Sequence, residues 1–123
     1  MVNIFISSRY KINRQQIKKK VELWLFDNGY SPDHTLNIIF IGKNKMKTIA
    51  NKYKKENVAL PVLSFSYKEK IIDPFEKVAG MEKFIGEVYI CYPQSVLLAA
   101  ERNKKVDIML DELIKHGIEN IIK

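Results

Sequence analysis

A chain of 123 residues fits a single domain, residues 1–123, and is long enough to bury a core. An apolar fraction of 46% with 28% charged residues excludes a disordered or low-complexity protein. The net charge of +7, from 21 Lys+Arg against 14 Asp+Glu, suits a polyanionic partner, and a solvated lysine-rich surface accounts for the same number.

VNIFIS (2–7) sets Val2, Ile4 and Ile6 against Asn3, Phe5 and Ser7. That alternation predicts a strand with one fully apolar face. In NRQQIKKKVELWLFDNG, Asn13 caps a helix, with Gln16 three residues on. Ile17, Val21, Trp24 and Leu25 form its apolar stripe, and Gly29 is its stop. YSPDH is a turn, in which His34 reads as a surface residue. TLNIIFIG (35–42) is a short apolar run rich in β-branched residues, hence a buried strand.

NKMKTIANKYKK (44–55) has the clearest helical amphipathicity: Met46, Ile49, Ala50 and Tyr53 share a face. Lys45, Lys47, Lys52, Lys54 and Lys55 occupy the rest, either as a solvated face or as a phosphate-facing one. LPVLSFSY (60–67) is a third strand entered through Pro61. Residues 68–84, with Pro74 and Gly80, read as a loop. GEVYICY (86–92) is a fourth strand, and PQSVLLAAER (93–102) a short helix broken by NKK. Asp107 then caps a last helix that turns Leu110, Leu113, Ile114, Gly117 and Ile121 inward. The order β-α-β-α-β-β-α-α gives an α+β fold: a four-stranded mixed sheet with helices packed on it.

Most catalytic constellations are absent. Gly42, Gly80 and Gly86 stand alone, so there is no phosphate loop, and no nucleophile elbow is found. Cys91 is the one cysteine and lies in an apolar run. It reads as a core thiol, and with no intrachain disulfide the natural setting is reducing, hence cytoplasmic. No apolar run approaches the ~18 residues of a membrane span, and the start of the chain lacks the features of a signal peptide. Ser64, between Leu63 and Phe65, reads as a strand serine bonded to backbone. His116-Gly117 reads as an ordinary helix C-terminus, with imidazolium complementing the dipole and glycine taking the left-handed turn.

Three segments in fixed order change the weight of these residues. NKYKKENVALPVLSFSY, GEVYICYP and LAAERNKKVDIMLDELIKHG resemble the YbeY family of bacterial rRNA-maturation endoribonucleases. The resemblance spans residues 44–118. Asn51, Tyr53, Val62, Leu63, Ser64 and Phe65 match the family's N-x-x-Y-R…T-D-V-L-S-F stretch. Residues 86–88 match its G-D/E-I strand start, and Ala100 its helix alanine. Leu113, His116 and Gly117 match the lead into H-G-x-L-H-L-x-G-Y-D-H.

The resemblance implies metal-dependent cleavage of single-stranded rRNA, with rRNA or the small ribosomal subunit as partner and neither DNA nor a membrane involved. It also implies a zinc ion on three histidines with one position open for water. His116 takes the first-ligand position and Asn120 the second, where an amide is a poor zinc ligand. The third position falls beyond Lys123, so the zinc is either lost or completed by ligands outside this sequence. Glu119 replaces an apolar motif residue and does not share the His116 face. Lys54 stands for the family's arginine, keeping the charge without the bidentate fork, and Leu60-Pro61 replace its T-D pair. By resemblance, Lys54 and Ser64 belong to a catalytic cleft; by their charge, Lys45, Lys47, Lys52, Lys54 and Lys55 form a candidate RNA-binding surface. Two functions stay open: an endoribonuclease (a hydrolase) in rRNA processing, or a non-catalytic RNA- or ribosome-binding descendant.

Overall fold

The structure, a computed structural model, describes residues 1–67 and 83–122. In chain order the elements are β1 (Val2–Ile6), α1 (Arg14–Asp27), β2 (Thr35–Ile41), α2 (Lys43–Lys54), β3 (Val62–Ser66), β4 (Phe84–Cys91), α3 (Tyr92–Glu101) and α4 (Val106–Ile122). The strands form one four-stranded sheet in the order β1-β2-β4-β3. β1, β2 and β4 run parallel and β3 pairs antiparallel with β4, so the sheet is mixed and the fold is α+β as expected.

Register explains the layers. Val2, Leu36 and Gly86 align across the sheet, as do Ile4, Ile38 and Val88. Side chains alternate along a strand, so these rows share one face. That face holds the main core, which also takes Ile17, Val21 and Leu25 of α1 and Met109, Leu110, Leu113 and Ile114 of α4. On the other face Met46 of α2 packs with Ile41, Leu63 and Cys91 in a second, smaller core.

Local chemistry sets the element ends. The Asn13 side chain accepts from the Gln16 amide at 3.1 Å, the cap expected of it. Gly29 has φ +88°, and the Tyr30 amide donates back to the Leu25 carbonyl at 3.0 Å. This is a Schellman ending, which needs a left-handed residue just past the helix.

Three expectations are corrected. The first concerns Gly117, which is not a helix stop, because α4 continues through it to Ile122. A Cβ there would lie 2.7 Å from Val88 Cγ1 and 3.0 Å from Ser64 Oγ, so glycine serves a close helix–sheet approach. Asp107 is not the cap either: α4 begins at Val106, and the Lys105 carbonyl accepts the first helical bond from Met109. β4 starts at Phe84, not Gly86, and ends at Cys91, leaving Tyr92 to open α3. His34 lies at the surface as expected, partly covered by the Tyr30 ring it meets edge-on and bonded to Ser31. Of the loop expected at 68–84, residues 68–82 lie outside the described residues.

Candidate functional site: a polar cleft at the β3 edge

β3 is an edge strand, and its alternation splits its residues between two neighbours. Ser64, opposite Val88, points to the α4 side, while Leu63 joins the α2 core. The Ser64 hydroxyl donates to the Gly117 carbonyl oxygen at 2.9 Å, as expected of a strand serine bonded to backbone. This bond fixes the middle of α4 against β3. His116 and Asn120, four residues apart, then project from one side of α4. α2 approaches the same edge from the other side and closes with Lys55 in the left-handed conformation, φ +54°. That turn carries the chain from Lys54 to Glu56.

Together these elements enclose a polar cleft of about 600 Å³, lined by Lys54, Glu56, Ser64, Ser66, His116 and Asn120 over a floor from Leu60, Val62 and Leu63. Residues from three separate segments thus meet, and they include Lys54, Ser64, His116 and Asn120. His116 and Asn120 are exposed, so both side chains are available to a ligand. Lys54 brings a positive charge and Glu56 a negative one.

Lys45, Lys47, Lys52 and Lys55 are exposed but do not line the cleft. Lys52 lies over the Tyr53 ring at 5.4 Å. Glu119 faces away, into a separate small depression with Trp24 and Lys115. Glu56 and Ser66 are cleft residues that the sequence did not single out. Glu56 is hidden in the charge run KKEN, and only the left-handed turn at Lys55 brings it round. Cys91 is a fully buried core thiol, as expected, and burial holds its pKa above the ordinary value against the opposing Gln94 backbone N–H and Lys43.

The family model for endoribonuclease YbeY matches residues 3–119. The chain belongs to the YbeY family. An endoribonuclease YbeY of Desulforamulus reducens is 30% identical over 101 residues, covering 82% of this chain and 65% of the relative. One from Dehalococcoides mccartyi is 27% identical over 129 residues, covering 98% of this chain and 78% of the relative. The match to the Cupriavidus necator endoribonuclease YbeY, at 28% identity, covers 82% of this chain but 46% of that protein. The chain therefore spans only part of these YbeY proteins. A solution structure from Thermotoga maritima superposes with a TM-score of 0.66 at 19% identity, over 100% of this chain and 73% of that one, which shows the shared fold.

The YbeY resemblance implies a zinc ion, and the cleft supplies a test of fit. Its candidate donors are one imidazole (His116), one amide (Asn120) and one carboxylate (Glu56). A hydrolytic zinc typically takes three protein ligands drawn from His, Cys, Asp and Glu. Among the described residues no group of three such side chains is placed to hold a metal ion. The described donors do not fit a hydrolytic zinc site by themselves. Among the described residues no helix is long and apolar enough to cross a membrane.

Proposed function

We propose that this protein acts in rRNA maturation by binding single-stranded RNA in the cleft between α2, β3 and α4. The observation that carries this reading is the meeting of Lys54, Ser64, His116 and Asn120 in one polar cleft. Lys54 offers a point charge to a phosphate. His116 and Asn120 offer hydrogen-bonding groups to a sugar or base edge. These roles need the fold and the charge but not a complete metal site. The family membership supports RNA as the class of partner.

The test is binding of a single-stranded RNA oligomer against the same sequence as a duplex, with Lys54→Gln and His116→Ala alongside. Preference for the single strand, weakened in both variants, is the expected result. Equal affinity of parent and variants overturns the cleft as the binding site.

A second reading, hydrolysis, is favoured by the place of His116 in this cleft at the first-ligand position of the resemblance. Elemental mass spectrometry of the purified protein and of His116→Ala tests it. About one zinc per chain, lost in the variant, supports a hydrolase with ligands beyond the described residues. No bound zinc in either leaves RNA binding as the function.

A further inference from the structure

The sheet presents a second surface, at the opposite end of its strand order from the cleft. Asn3, Asn37 and Glu87 align across β1, β2 and β4, and Phe5, Ile39 and Tyr89 form the next row. Both rows lie on the face away from the main core. α2 packs on this face over Ile41, Leu63 and Cys91. α1 covers β1 from the core face, and Phe5, on the other face, joins neither core cluster. Phe5 is consequently 52% exposed, although it sits on a sheet face. Parallel strands normally have both faces covered, so a bare aromatic here points to an external occupant.

The surroundings say which occupant. Phe5 and Tyr89 flank Ile39 in one row, and the Tyr89 ring meets Phe65 edge-on, which in turn meets Tyr53. Lysines stand beside this surface. Ile49 of α2 is half-buried in the same cluster as Ile39, and Lys45 and Lys52, four before and three after it, share its side of the helix. Both lysines are exposed. The Asn3 side-chain amide donates to the Asn37 side-chain oxygen at 3.1 Å, leaving an Asn3 carbonyl oxygen and an Asn37 amide N–H free among the described residues. Aromatic π-faces, adjacent cations and a paired donor and acceptor are what a single-stranded polynucleotide engages. Glu87 repels phosphate from its own row, so the backbone is steered to the lysine side.

We propose that this open sheet face, centred on Phe5, is a stacking platform for the bases of a single-stranded polynucleotide, with Lys45 and Lys52 holding its phosphates. The proposal rests on the RNA-directed reading for the class of partner, but its residues are separate from the cleft.

The experiment uses an oligouridine of about twelve nucleotides, within the usual site size for such surfaces. A Phe5→Trp, Trp24→Phe variant carries a single indole at the platform, and an abasic oligomer of equal length is the control. The expected result is indole quenching by oligouridine and none by the abasic strand. Phe5→Ala, in the otherwise native chain, should bind oligouridine roughly fivefold or more weakly. Phe5 is exposed, so this variant folds and stays informative if the indole variant does not. Quenching that persists with Lys54→Gln at parent affinity supports the platform and removes the cleft. Binding weakened by Lys54→Gln but neither quenching the indole nor sensitive to Phe5→Ala overturns the platform and keeps the cleft. Self-association in sedimentation that Phe5→Ala abolishes, without quenching, makes the face a contact between copies and overturns the proposal. No binding at all overturns both.

Discussion

Ser64 and Gly117 lie 53 residues apart in the chain and are joined by one hydrogen bond, the serine hydroxyl to the glycine carbonyl at 2.9 Å. The contact sits one residue from His116, so the packing that seats α4 on the sheet also places the cleft's imidazole. Gly117→Ala tests this. In an exposed helix the change would gain about 1 kcal/mol. Here the new Cβ falls 2.7 Å from Val88 Cγ1, and overpacking of this kind costs about 1–3 kcal/mol. We expect net destabilisation of about 1–2 kcal/mol by urea unfolding. Adding Val88→Ala should make the Gly117→Ala change less costly than it is in the parent, and strict additivity of the two losses would show that steric contact is not the cause.

The same contact shows how much of the fold and the site was open to sequence reasoning. Periodicity located the strands and helices, because apolar faces with periods of 2 and 3.6 residues have to be buried. It misjudged Gly117, since a glycine beside a histidine is an ordinary helix end, and only Val88 and Ser64 across the sheet reveal why the helix continues. Lys54, Ser64, His116 and Asn120 came from resemblance, and the structure brings those four into one cleft. Glu56 was out of reach, because its position depends on a left-handed Lys55 that no local signal marks. The bare face around Phe5 was also illegible: alternation placed Phe5 opposite the core face but does not say which neighbours cover it.

The lysines of α2 divide by geometry, and salt dependence can read the division. Lys54 lines the cleft, whereas Lys47 and Lys52 do not. Each lysine that neutralises a phosphate of a single strand adds roughly 0.7 to the slope of log affinity against log salt. Replacing Lys47, Lys52 and Lys54 together with glutamine should weaken RNA binding and flatten that slope. Lys54→Gln alone should remove about one phosphate's share. An unchanged slope in the triple variant would take α2 out of the binding surface.

Two acids, the buried Cys91 and the half-buried Tyr89, make the fold sensitive to alkali. Burial raises the pKa of Cys91 above its ordinary 9.0, and burial, then the Glu87 and Tyr53 charges, raises that of Tyr89 above 10.0. Both groups are neutral when protonated, so the native state holds these protons after the unfolded chain has released them. Unfolding is then favoured by rising pH, and stability declines from about pH 9 upward through the raised native values. Below that window both states keep the protons and neither group contributes a slope. Urea unfolding across this range should show a falling midpoint. Cys91→Ala will lower stability at every pH by leaving a cavity, but should flatten the decline at its onset. A parallel shift with the slope retained would acquit Cys91.

Lys55 carries both a charge and a strained backbone, and one substitution separates them. Its φ of +54° ends α2 in the left-handed region, with its amide donating to the Ala50 carbonyl. A side chain in that conformation costs roughly 1–2 kcal/mol, which glycine avoids. Glycine also gains freedom in the unfolded chain, which returns part of the benefit. Lys55→Gly should therefore stabilise the protein by about 0.5–1 kcal/mol, whereas Lys55→Ala, which keeps a Cβ, should not. The turn between Lys54 and Glu56 keeps its shape in the glycine variant, so any loss of RNA affinity there reports the missing charge. Parent affinity with raised stability would assign Lys55 to the turn and leave phosphate contact in the cleft to Lys54. Reduced stability would mean that the lysine stem makes contacts that outweigh the relief of strain.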